Sequence, residues 1–226
     1  MQATALLHLL QLVSPSLPVG AYSYSQGLEG AIERGWVRDE ASARNWIAEH
    51  LEQVLAQFEA PLFWRLYHAF AMQDALAVQE WSERFLAGRD SAEFRAETLQ
   101  MGYSLGRLLL DLQVAEPALL ALLPAPSELP FPTALACAAV ALQVPAQAAL
   151  LGTLFSWAEN QVLVCVKSVP LGQVAGQRML LTLRPVIEAV AQQVPQVPDD
   201  ALSSWWPGLS LLSMQHEVQY SRLYRS

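Results

Sequence analysis

Charge is scarce in this chain. Asp, Glu, Lys and Arg make up 15% of its 226 residues, where ordinary globular chains carry about 25%. The basic share is the smaller one, with 13 Lys and Arg against 21 Asp and Glu for a formal charge of −8. A nucleic-acid partner needs a basic face for its phosphates, so this balance argues against one. Cysteine is nearly missing too. Cys137 and Cys165 lie in apolar helical surroundings, which fits buried reduced thiols of a cytoplasmic protein better than a disulfide framework. Long hydrophobic runs are interrupted. Crossing a bilayer takes about 20 apolar residues, and the best stretch, Ala148 to Val166, is broken by Glu159, Asn160 and Gln161. The N-terminus lacks a basic segment and a small-residue cleavage site, so neither a membrane span nor a secretory signal is expected.

Catalytic and metal-binding patterns are absent as well. No GxxxxGK[ST] loop, GxSxG elbow or GxGxxG turn occurs. His8, His50, His68 and His216 stand alone, without a histidine four residues on and without a CxxC pair, so no closed metal site is expected. His216-Glu217 near Met214 is the one place where a passing transition-metal contact has suitable ligand types. Strand signals are missing: alternation never persists and no Asn-Gly or Asp-Gly turn occurs.

What the sequence does have is apolar residues, 53% of the total, set at helical spacing. After Asp39, an expected N-cap, Ala43, Trp46, Ile47, His50, Leu51, Val54, Leu55 and Phe58 form a stripe with the i, i+3, i+4, i+7 rule. Pro61 is expected to begin a new helix. Further helices are predicted from Ala75 to Leu86, from Ser91 through Leu112, from Ala134 to Leu142, from Pro145 to Val166, from Leu171 to Val194 with a kink at Pro185, and from Leu209 onward. Pro117 to Phe131 and Pro195 to Pro207 are proline-rich connectors. Gly102 and Gly106, four apart, mark a face for close helix packing. The expectation is an all-α, single-domain bundle of roughly ten helices over residues 1–226. So much apolar side chain with so little charge also points to an extensive protein interface.

Three stretches do not reduce to core patterning. In Leu9 to Val37, two prolines stop an apolar helical segment, and Tyr22, Ser23, Tyr24, Ser25 and Gln26 crowd polar groups before a short helix bearing Glu29. Gly27 and Gly30 leave one face of that helix nearly bare. Glu159-Asn160-Gln161 puts three polar residues inside an apolar helix. They must be paired or lie at an interface, because an unpaired buried polar group costs about 1–3 kcal/mol. Lys167, the only lysine, follows at the end of that helix, where its charge meets the negative end of the dipole. The last stretch, His216 to Ser226, concentrates Tyr220, Ser221, Arg222, Tyr224 and Arg225, with the tyrosines and arginines of the types enriched at binding hot spots.

In order and spacing, these stretches resemble the signatures of the urease accessory protein family UreF. The matching residues are Ser14-Pro15, Leu17 to Gly20, Tyr22 to Glu29, Gly35-Trp36-Val37, Glu159 to Gln161, Lys167, Val169 to Gln173, and the C-terminal segment from His216. Tyr224 stands where phenylalanine is common in the family. The resemblance implies a non-catalytic urease maturation factor without a cofactor. It implies a homodimer that binds UreD (also called UreH) and, with it, recruits the GTPase UreG so that nickel reaches apo-urease. The partner-binding residues it implies are Tyr22, Ser25, Gln26, Glu29, Glu159, Asn160, Lys167, Gln173, His216, Tyr220, Ser221, Arg222, Tyr224 and Arg225. Lys167 would face the GTPase, loosely like an arginine finger but without the bidentate fork. The tail from about Gln215 is expected as a helix, mobile until it docks on UreD, with Tyr220 and Tyr224 on one face and Arg222 and Arg225 on another. The rival reading is an α-helical enzyme with a buried metal or cofactor, built on Glu29, Glu159 and the histidines.

Overall fold

Every regular element is helical in the computed structural model, which describes residues 1–226. The helices are α1 (Ala3–Leu12), α2 (Leu28–Glu33), α3 (Glu40–His50), α4 (Ala60–Ala71), α5 (Ala75–Ala87), α6 (Ala92–Leu112), α7 (Pro117–Leu120), α8 (Phe131–Ala141), α9 (Ala146–Ser168), α10 (Gln173–Gln193) and α11 (Pro207–His216). Two starts follow caps legible in the sequence. At α3, the Asp39 carboxylate accepts from the Ser42 N–H and the Ser42 hydroxyl accepts from the Asp39 N–H, a reciprocal capping box. At α6 the Ser91 hydroxyl accepts from the Phe94 N–H.

Between α3 and α4 the chain does not break. Leu51–Glu59 is a π-helix, so α3, this segment and α4 form one continuous rod. Pro61 therefore does not open a new helix. It falls just after the register has widened, where the Ala60 N–H reaches back five residues to the Leu55 carbonyl. That displaced hydrogen-bond ladder is where a residue with no N–H of its own is accommodated. Pro185 likewise sits within an uninterrupted α10, on its exposed side.

The core is layered around helices with small side chains. On α8, residues from Pro132 to Ala139 are all buried, and Ala134, Ala136, Cys137 and Ala138 have no exposure at all. With so little side-chain bulk, α8 fits between α4 and α6, while α9 packs along α10 and also against α2, α3 and α4. One contiguous apolar core runs through helices on both sides of the Pro117 to Phe131 connector. By length and hydropathy α9 alone would suffice to cross a membrane, and here its neighbours bury it on several sides. Both thiols are fully buried and unpaired, and burial pushes Cys137 and Cys165 up to about 12.

The bare glycine faces are filled from within the chain. A Cβ on Gly102 would lie 2.0 Å from the Leu129 carbonyl oxygen, and one on Gly106 2.7 Å from the Leu129 side chain. The connector, and not another helix, occupies that groove. On α2 the bare face receives α11: a Cβ on Gly27 would stand 2.6 Å from Leu209, and one on Gly30 3.3 Å from Leu212.

Gly102→Ala should therefore lower stability by about 1–3 kcal/mol or more, because rigid main chain blocks the methyl group. Gly208→Ala, with no neighbour within 4 Å of its Cβ, should stay within about 0.5 kcal/mol of wild type. Urea denaturation of the two variants compares them directly.

Candidate functional site

The first and last unusual stretches of the sequence meet. After α1, Pro15 and Pro18 turn the chain, and Ala21–Ser23 form a single 3-10 turn. Gln26 and Gly27 then adopt consecutive left-handed conformations, with φ of 52° and 81°. For glycine this is free, whereas glutamine is strained there. The conformation aims the Ser25 and Gln26 N–H groups at one point, and the main-chain oxygen of Ser226 sits on it at 2.8 and 3.1 Å. The Ser25 hydroxyl donates to the same oxygen and accepts from the Glu29 N–H in the first turn of α2. Further support comes from the Gln26 side chain, which accepts from Trp157 Nε1 of α9 and donates to Glu97 of α6.

Glu29 is buried on α2, and its donors come from the far end of the chain. Leu223 N–H reaches Oε1 at 2.7 Å, Tyr224 N–H reaches Oε2 at 3.0 Å, and His216 Nε2 lies 3.2 Å from Oε2. The other ring nitrogen of His216 faces Glu93 at 2.8 Å, and Glu93 in turn accepts from Arg222 at 2.8 Å. The Arg225 N–H donates to the Ser23 carbonyl. Tyr224 is buried, with Ser168 at the end of α9 beside its phenol, and desolvation raises its pKa. The segment is thus not a free helix: beyond Glu217 it runs as bends and turns across α2 and α6. Tyr220 and Tyr224 do not share a face, since Tyr220 is fully exposed while Tyr224 is buried. Nor do Arg222 and Arg225, which bond to different elements. The physical reason is that two successive backbone N–H groups, at Leu223 and Tyr224, bond a side-chain carboxylate and are unavailable to a helix.

The middle stretch joins only in part. Asn160 donates to the Tyr24 carbonyl at 3.1 Å, which brings α9 to the tyrosine-rich turn. Glu159 is half-buried, and desolvation raises its carboxyl pKa. Gln161 departs from the expected pairing: it is fully buried and neither its amide oxygen nor its nitrogen has a partner. Lys167 and Gln173 are exposed, in the last turn of α9 and the first residue of α10, and take no part in the network. Tyr22 and Ser221 are also exposed. The structure therefore gathers Ser25, Gln26, Glu29, Asn160, His216, Arg222, Tyr224 and Arg225, and leaves Tyr22, Lys167, Gln173, Tyr220 and Ser221 facing solvent.

Sequence reasoning missed Glu93, Glu97 and Trp157. The two glutamates are four apart on α6 and therefore on one face, a signal that was present but had no visible partner. Behind Gln26 and Glu97 lies a cavity of about 180 Å³, with His50, Glu59, Arg89 and Trp157 also on its wall. His50 packs edge-on against Trp157 and Trp206 with ring centroids 4.7 and 5.3 Å away. Burial, with Arg89 adding to it, pushes its pKa down to about 3, so the ring is neutral near pH 7. Arg89 pairs with Glu59 at 2.8 Å and lies over the Phe85 ring. No three or more His, Cys, Asp or Glu side chains are grouped to hold a metal ion. Glu29 faces His216 and the tail amides, and the Glu159 carboxylate does not join it.

The UreF family model matches residues 37–184. The urease accessory protein UreF of Janthinobacterium sp. (strain Marseille) is 70% identical over 226 residues, covering 100% of each chain. That of Nitrosospira multiformis is 61% identical over 222 residues, covering 98% of each. That of Azoarcus sp. (strain BH72) is 51% identical over 223 residues, covering 98% of this chain and 95% of its own.

Replacing Glu29 by alanine leaves the Leu223 and Tyr224 N–H groups without their acceptor. The expected result is loss of hydrogen-exchange protection at both amides, with a fall in stability of about 1–3 kcal/mol. Unchanged protection would mean that the segment is held by its other contacts, to Ser23, Ser25, Gln26, Glu93 and Glu97.

Proposed function

Because the chain belongs to the UreF family of urease accessory proteins, with the role in urease maturation this implies, we propose that it is a non-catalytic assembly factor acting through protein contacts. In this reading it binds UreD/UreH and with it recruits the GTPase UreG, and nickel is the cargo delivered to apo-urease. The protein works in the cytoplasm as a homodimer.

One observation carries the assignment of the contact surface. The C-terminal segment is fastened through its backbone and through Tyr224 and Ser226, while Val218, Tyr220 and Leu223 are turned out to solvent. A segment already fixed in place loses little freedom on binding, so large apolar side chains presented from it bind efficiently. We assign this surface to UreD/UreH. Lys167, exposed and the only lysine, is the candidate contact for the GTPase. The homodimer draws support from Leu6, Leu7 and Leu10, exposed together on α1. The bare faces at Gly27/Gly30 and Gly102/Gly106 give it no support, being filled from within.

Tyr220→Ala combined with Leu223→Ala should weaken capture of UreD by tenfold or more, the loss of two interface anchors, with the melting temperature unchanged because neither side chain is buried. Undiminished capture would place the UreD contact elsewhere. Lys167→Ala should fold normally and lower GTPase-dependent urease activation, since a lysine at a helix end contributes under about 1 kcal/mol to stability. Normal activation by this variant would remove Lys167 from the GTPase contact.

A further inference from the structure

Glu97 lies where the docked tail meets the cavity. Its Oε1 accepts from Gln26 Nε2 at 2.5 Å and its Oε2 from the Ser226 hydroxyl at 2.7 Å. The side chain also lines the cavity of about 180 Å³, a volume with room for several waters. The titratable and charged groups around it are Glu59, Arg89, Tyr24 and, on the cavity wall, Tyr22, His50, Asp90 and Glu159, with Arg225 beside Tyr24 and Glu93, held by His216 and Arg222, one turn away on α6. The nearby cation, Arg89, is already paired with Glu59.

We propose that Glu97 is a protonation-controlled latch on the C-terminal segment: neutral, it holds Gln26 and Ser226 in place, and ionised, it favours release of the segment so that water reaches the carboxylate. The hydrogen bonding permits both states. When Glu97 is protonated, Oε2–H donates to the Ser226 oxygen, whose hydroxyl hydrogen rotates away, and Oε1 still accepts from Gln26. When it is ionised, a full charge stays buried with only two neutral donors. Burial accordingly pushes the Glu97 carboxyl up to about 7, with Glu59 acting in the same direction while the Ser226 and Gln26 bonds and Arg89 oppose it.

The sign follows from linkage. An acid whose pKa is higher docked than released keeps its proton preferentially in the docked form. Docking is therefore strongest below the ordinary value of 4.5 and weakens as pH rises through about 7. With those two values the released fraction grows about tenfold between pH 6 and pH 8. The latch as regulation rests on reading this segment as a partner contact: the docked form presents Tyr220 and Leu223, and release above neutral pH withdraws that pre-organised surface.

The test uses the isolated full chain, so its failure is distinct from failure of the partner assignment. Hydrogen exchange at the Gln26, Leu223 and Tyr224 amides, corrected for intrinsic rates, should show protection falling about tenfold from pH 6 to pH 8 in wild type. In Glu97→Gln, an uncharged isostere whose amide donates to Ser226 and whose oxygen accepts from Gln26, protection should be equal at both pH values. His216 and Glu29 are unchanged in that variant. A pH dependence surviving in it would place the effect on another group and overturn the latch, as would a flat profile in wild type. Should the variant not fold, carbon-13 titration of the Glu97 carboxyl in wild type decides: a midpoint coinciding with loss of tail protection supports the latch, and separate midpoints overturn it.

Discussion

A carboxylate taken out of water must be given hydrogen-bond donors or it destabilises the fold by several kcal/mol. Glu29 meets that requirement with the Leu223 and Tyr224 amides and the His216 ring, all near the other end of the chain. Neither partner is complete alone. Without the segment, Glu29 is a buried charge lacking donors, and without Glu29, two successive amides lack acceptors. This mutual need ties α2, α6, α11 and the terminal residues into one unit. The left-handed pair at Gln26 and Gly27 serves the same unit, since it aims the two N–H groups that receive Ser226.

The rest of the fold makes room for this junction by sparing side-chain volume. Gly27 and Gly30 let α11 come down onto α2, which sets the height at which His216 meets Glu29. Gly102 lets the connector press onto α6, and the alanines of α8 bring α4 close to the same helix. The π-helical turn between α3 and α4 belongs to this scheme as well. It starts after His50 and ends at Glu59, two residues of the cavity wall, and such irregular turns are frequent at functional sites.

Apolar excess, which the composition suggested would be used at an interface, divides in two. Much of it fills the interior of α8 and α9. Part of it is outside, scattered at positions such as Met72, Leu76, Val174 and Trp205 and grouped as Leu6, Leu7 and Leu10 on α1 and as Leu211, Met214, Val218, Tyr220 and Leu223 from α11 onward. Those last five belong to the element and segment that the buried carboxylates hold in place. Presentation of this surface therefore depends on polar contacts beneath it.

The capped helix starts after Asp39 and Ser91, the all-helical class and the deep burial of α8 were legible in the sequence, because caps and the spacing of apolar residues act over a few residues, whereas the continuity of the helix through Pro61 was not. Leu9 to Val37, Glu159 to Gln161 and His216 to Ser226 stood out in the sequence too, as departures from core patterning. What the tertiary structure alone decided is which atoms meet. The tail was readable as a helix because its tyrosines are four apart, yet its amides bond a carboxylate nearly two hundred residues away, and no local pattern encodes that distance. Gln161 shows the converse: its burial follows from α9 being covered on several sides, so a polar residue that looked obliged to pair lies unpaired. Glu93, Glu97 and Trp157 became site residues only through packing, since a side chain's donors and acceptors are local but its partners are fixed by which helices come together.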